Sequence, residues 1–99
     1  MIALIKINLW CKGKEDNIRA LISSLDMVLW PTLGLKPVNL SQLISASKVK
    51  IAYMRAVAKL HPDKVAVDAS VVQKMIASAV FMVLNKAFED FKSKNTDKS

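Results

Sequence analysis

The sequence predicts an all-α fold, and three observations carry that prediction. Only two glycines (Gly13, Gly34) and three isolated prolines (Pro31, Pro37, Pro62) punctuate 99 residues. Apolar residues recur at three- and four-residue spacing along most of the chain, whereas the alternation of a half-buried strand is weak. Apolar residues make up 53% of the chain, which suits one core in a chain too short to divide into two.

The opening MIALIKINLW is apolar but interrupted by Lys6 and Asn8, and it runs into KGKED without a small-residue cleavage site. It is too short for a membrane span and poor as a signal peptide, so a short helix docked on the domain is expected, as in a piece of a longer chain. Glu15 and Asp16 then stand where a helix N-terminus favours negative charge. Ile18, Leu21, Ile22, Leu25 and Val28 follow at helical spacing, predicting a helix over 15–30 that Trp30-Pro31 ends. Residues 31–45 hold two prolines and a glycine, yet also Leu33, Leu35, Val38, Leu40, Leu43 and Ile44. A loop packed on the core, with one short turn near Leu40 to Ile44, accommodates both facts.

Ser45 or Ser47 can cap the next helix, whose apolar stripe is Val49, Tyr53, Ala56, Val57 and Leu60 and which should end before His61-Pro62. After a loop over 61–69, a long helix is marked by Val72, Met75, Ile76, Ala79, Val80, Val83, Leu84, Ala87, Phe88 and Phe91. The short connection makes these two helices an antiparallel hairpin, with the histidine, proline and aspartate at its exposed tip. The terminal KSKNTDKS is polar and expected to fray.

Fifteen Lys and Arg against eight Asp and Glu give a formal charge of +7, which points to acidic partners. The excess is concentrated: no acidic residue lies between Asp26 and Asp63, while Lys36, Lys48, Lys50, Arg55 and Lys59 all do. On the middle helix Lys48, Arg55 and Lys59 recur at i, i+7 and i+11, opposite the apolar stripe. A solvated face and a docking surface both fit that pattern. Ile51 and Met54 fall off the stripe and are expected to be covered by the extra apolar sequence around the domain.

Cys11 is the only cysteine, which excludes an internal disulfide and a thiolate zinc cluster and fits a reducing, cytoplasmic setting. His61 is likewise the only histidine. It has an aspartate two residues on, but no nucleophile motif, metal-ligand set or Gly-rich phosphate loop accompanies it, so no enzyme, metal or cofactor is expected. Proline after histidine fixes the backbone and aspartate can bond nearby amides, so His61-Pro62-Asp63 reads as a rigid turn displaying polar side chains.

His-Pro-Asp between a basic helix and a long helix ending in 84-LNKAFEDF-91 resembles a J domain, the module that activates DnaK-type seventy-kilodalton heat-shock chaperones. The stretches 13-GKEDNIRALISSLDMVLWP-31, 36-KPVNLSQLI-44, 48-KVKIAYMRAVAKLHPDKV-65 and 80-VFMVLNKAF-88 resemble the auxilin-type J domain in particular, over nearly the whole chain from Ile5 to Phe91. In that group an extra N-terminal helix and a long inserted loop wrap the hairpin. The resemblance therefore implies a wrapping helix over 1–14, the J domain over 15–92 and a disordered tail over 93–99. It is closest to plant members, one of them serving light-directed chloroplast positioning.

The resemblance implies that His61, Pro62 and Asp63 engage the chaperone and stimulate its ATP hydrolysis, and that Lys48, Lys50, Arg55 and Lys59 meet its acidic surface. A clathrin coat would be reached through regions outside this chain, with no nucleic acid and no membrane insertion. The usual pattern on this helix reads roughly Lys-Lys-x-Tyr-Arg-Lys, whereas this chain has Lys50-Ile51-Ala52-Tyr53-Met54-Arg55, so two positive charges are missing and electrostatic steering should be weaker. Two other readings stand beside it, a basic helical nucleic-acid binder and a purely structural interaction domain. The first accounts for the charge and not for the turn, and Trp10 and Trp30 fall in apolar patterns where burial is the expected fate.

Overall fold

The computed structural model describes residues 2–30, 33, 35, 38–61 and 69–95, and among these the chain is helical without a strand. The helices are α1 (Ile2–Cys11), α2 (Ile18–Ser23), α3 (Ala46–Leu60) and α4 (Val71–Asn95), with short 3-10 turns at Leu25–Met27 and Leu40–Leu43. The calls at Pro31, Gly34, Lys36 and Pro37, and those in the loop at 62–68, fall outside the described residues.

α1 is the docked helix expected from the apolar opening. Ile7 and Trp10 are buried, and the Trp10 indole donates to Ser24 Oγ at 3.0 Å, so the one polar atom of the largest core side chain is satisfied. Gly13 then turns the chain at φ 77, a left-handed conformation that a residue with a Cβ rarely adopts.

The helix expected over 15–30 is shorter. Asn17, not Glu15 or Asp16, caps α2 by accepting from the Ala20 amide at 3.1 Å. Ser23 and Ser24 both donate to the Ala20 carbonyl, at 3.1 and 2.7 Å, and this back-bonding accompanies the end of the α-helix at Ser23. The chain continues as a 3-10 turn, and the predicted apolar positions Ile18, Leu21, Ile22, Leu25 and Val28 are all buried.

α3 begins at Ser45, whose hydroxyl accepts from the Lys48 amide at 3.3 Å, and ends at His61. Val49, Tyr53, Ala56 and Leu60 form its buried stripe, with Val57 beside it. α4 supplies the facing wall through Ala77, Val80, Leu84, Ala87, Phe88 and Phe91, and α1, α2 and α3 all pack on it. By length and composition Val71–Lys94 would also suffice to cross a membrane, but this buried stripe is the spine of the core.

Cross-helix contacts set the register. Tyr53 stacks on Phe88 with ring centroids 4.0 Å apart, its hydroxyl donates to Asn85 Oδ1 at 3.0 Å, and His61 meets the Phe81 ring edge-on at 6.1 Å. The helices are therefore antiparallel, and α3 ends beside the third turn of α4. The first turns of α4, which hold Val72 and Met75, lie N-terminal to that contact. Val72 and Met75 are exposed, against expectation, while His61 is exposed at the end of α3 as expected, and the loop that follows it lies outside the described residues.

The segment between α2 and α3 packs on the core as expected. Leu33, Leu35 and Val38 are half-buried and Leu43 fully so, while Leu40 and Ile44 face solvent. Arg19 pins it: the guanidinium donates to the carbonyls of Leu43 (2.7 Å) and Ile44 (3.4 Å) and lies 5.2 Å from the centre of the Phe91 ring. Trp30 is only half-buried, and α4 runs through Asn95, so residues 93–95 of the predicted tail are helical.

Leu84 has no exposed surface, so Leu84→Ala should cost about 2–5 kcal/mol in chemical denaturation. A cost below about 1 kcal/mol would contradict its place in the core. A second expectation concerns pH. Burial pushes the Tyr53 phenol above its ordinary 10.0, and the Glu89 carboxylate adds to the shift. Because the folded state holds this proton more tightly, the associated stability is full below about pH 10 and is lost as pH rises through the folded value. Tyr53 is the sole tyrosine, so its ultraviolet titration reads the site directly. The folded midpoint should exceed 10, and a midpoint at or below 10 would contradict the burial.

Candidate functional site

The basic residues are placed by α3. On a helix of 3.6 residues per turn, Lys48, Arg55 and Lys59 fall within about 40° of one another, roughly a quarter turn from the buried stripe and not opposite it. All three are exposed and line one groove, whose other side is the segment preceding α3. Lys50 is also exposed but lies on the far side of α3, away from that groove. Among the described residues none of the four forms an ion pair; the pairs present join Lys92 to Glu89 at 3.4 Å and Lys94 to Asp16 at 4.0 Å. Three uncompensated cations on one exposed ridge favour an acidic surface.

His61 terminates α3, donating its backbone amide to the Val57 carbonyl at 2.8 Å while its own backbone is extended at φ −59 and ψ 138. That conformation is the one imposed on a residue preceding proline. Its side chain is exposed and lies edge-on to Phe81 of α4. Two residues earlier, Lys59 lines the groove, so the C-terminal end of the ridge lies at the same end of α3 as the histidine. Pro62 and Asp63 lie outside the described residues.

Ile51 and Met54 were expected to be covered, and they are not: they are 51% and 54% exposed. The wrapping segment crosses one flank of α3 and leaves its outward side open. Ile51 lines the groove together with Leu35 and Val38. Sequence reasoning missed Phe81 as the neighbour of His61 and Arg19 as the tie that holds the groove's far wall. Phe81 needed the hairpin register, and Arg19 carries no local signal that distinguishes it from a surface cation.

Among the described residues no group of three His, Cys, Asp or Glu is placed to hold a metal ion. The aromatic rings are largely committed to the interior. Trp10, Tyr53, Phe88 and Phe91 are buried, so they offer no exposed platform on which bases could stack.

No family model matches the chain. Curated relatives do. It is 47% identical to Auxilin-related protein 1 of Arabidopsis thaliana over 90% of the chain. To an auxilin-like clathrin uncoating factor of Saccharomyces cerevisiae it is 43% identical over 91%. To the Arabidopsis thaliana J domain-containing protein required for chloroplast accumulation response 1 it is 44% identical over 87%. A yeast protein thus matches about as well as the chloroplast one, and the similarity is to the group and not to a single member. The chain spans only 10–13% of the length of these proteins. With α1 and α2 packed against the antiparallel hairpin of α3 and α4, and this degree of identity along nearly all of its length, the chain belongs to the auxilin-type J domains.

Proposed function

We propose that this domain is a cochaperone that binds a DnaK-type seventy-kilodalton heat-shock chaperone and stimulates its ATP hydrolysis through the turn His61-Pro62-Asp63. The observation that supports it most is the pairing of an exposed His61, set against Phe81, with an unneutralised ridge of Lys48, Arg55 and Lys59 on the helix that leads to it. The ridge would dock on an acidic face of the chaperone and bring the turn to its target, with Lys50 contributing from the other flank. The hydrolytic chemistry belongs to the chaperone; the domain supplies contacts that favour its active state and is not itself an enzyme.

In the whole protein, segments beyond this chain would select where the chaperone acts, in a cytoplasmic setting. One relative is a clathrin uncoating factor and another is required for chloroplast accumulation response, so delivery to a coat or to the machinery of chloroplast positioning are the two roles the similarity favours.

Single-turnover ATP hydrolysis by a cytosolic DnaK-type chaperone tests this reading. The wild-type domain should accelerate hydrolysis, less so at high salt, because exposed charges steer the encounter. His61→Gln should abolish the acceleration while changing unfolding free energy by no more than about 0.5 kcal/mol, as befits an exposed side chain. Arg55→Glu should slow association and flatten the salt dependence. Equal stimulation by wild type and His61→Gln, or none by either, would contradict the proposal.

A further inference from the structure

The groove between α3 and the segment before it has a volume of about 820 Å³. Leu25, Leu35 and Val38 form its apolar wall and Lys48, Arg55 and Lys59 its rim, and Ile51 also lines it. We propose that it seats a short, extended, acidic segment of a partner protein, with an apolar side chain against Ile51, Leu35 and Val38 and carboxylates on the three cations.

Four features carry this. Among the described residues no acidic side chain lines the groove, and the chain as a whole is at +7, so the occupant that complements it is anionic. Charge alone does not account for the wall, because Ile51 is 51% exposed and gains only when an apolar group covers it. The far side is built without a ligand: Arg19 ties the Leu43 and Ile44 carbonyls, and Asn39 and Gln42 close a capping box over the 3-10 turn, with the Asn39 amide donating to Gln42 Oε1 at 2.9 Å. A preformed groove loses little entropy on binding. The distance from Lys48 to Lys59 along α3, about 16 Å, matches about five residues of extended chain. A nucleic acid would meet the cations but leave the apolar wall against a hydrated polyanion.

The inference rests on the cochaperone reading only in taking this face as the docking face, and its test is separable from that reading. The probe is a fluorescein-labelled peptide in which leucines alternate with aspartates, titrated into the domain by anisotropy. Wild type should bind it, and replacing the leucines by asparagine should cost roughly tenfold in affinity, the worth of one modestly buried apolar side chain. Ile51→Lys should weaken binding by a similar factor although it adds a positive charge, and Lys59→Glu should weaken it mainly at low salt. Both positions are exposed, and circular dichroism is to be recorded on each variant to check that it folds. Binding unchanged or tightened by Ile51→Lys, equal binding of the asparagine peptide, no binding of the leucine peptide, or tighter binding of a labelled single-stranded oligonucleotide would overturn it. Failure here by a domain that still stimulates the chaperone would remove this inference alone; peptide binding by a domain that does not stimulate would leave the groove and remove the cochaperone reading.

Discussion

The rest of the structure depends on one buried stripe. Val80, Leu84, Ala87, Phe88 and Phe91 of α4 are the surface on which α1, α2 and α3 all pack, and none of the three shorter helices is long enough to be stable alone in water. Their order follows from sharing that stripe. α3 takes the hairpin position, its register fixed by Tyr53 on Phe88 and His61 on Phe81. α2 fills the flank, and Arg19 extends from it to join Phe91 to the carbonyls that precede α3.

The functional face is a consequence of this arrangement. Once Val49, Tyr53, Ala56 and Leu60 are committed to the core, the 3.6-residue period brings Lys48, Arg55 and Lys59 to the side of α3 that meets the wrapping segment. The same period leaves Met54 exposed away from the groove and Ile51 exposed along it. The result is a basic ridge that borders an apolar groove, with His61 at its end. A surface of this composition combines long-range attraction, which sets the rate of encounter, with a short-range apolar contact that is insensitive to salt.

Much of this was legible in the chain because the governing chemistry is local. The start of α3 at Ser45 and its end at His61 follow from a cap and from the residue preceding a proline, and the core stripes of α3 and of the second half of α4 follow from spacing alone. Local chemistry also misled: Ser23 and Ser24 look like ordinary helix residues, and only their bonds to the Ala20 carbonyl mark the end of α2. Other features are not local. The exposure of Val72 and Met75 depends on where along α4 the other helices pack, and that of Ile51 on the path of a segment earlier in the chain. The meaning of His61-Pro62-Asp63 came from resemblance, since a histidine in a turn has no chemistry of its own that names a partner.

The central claim is that partner contact is made by the α3 ridge and the groove beside it. Hydrogen–deuterium exchange of the domain with and without an ATP-loaded DnaK-type chaperone addresses it most directly. The account predicts added protection from Lys48 to His61 and in the segment around Val38 to Leu43. Protection confined to the outer faces of α1 and α4, where Ile5, Leu9 and Met82 are exposed, would contradict it.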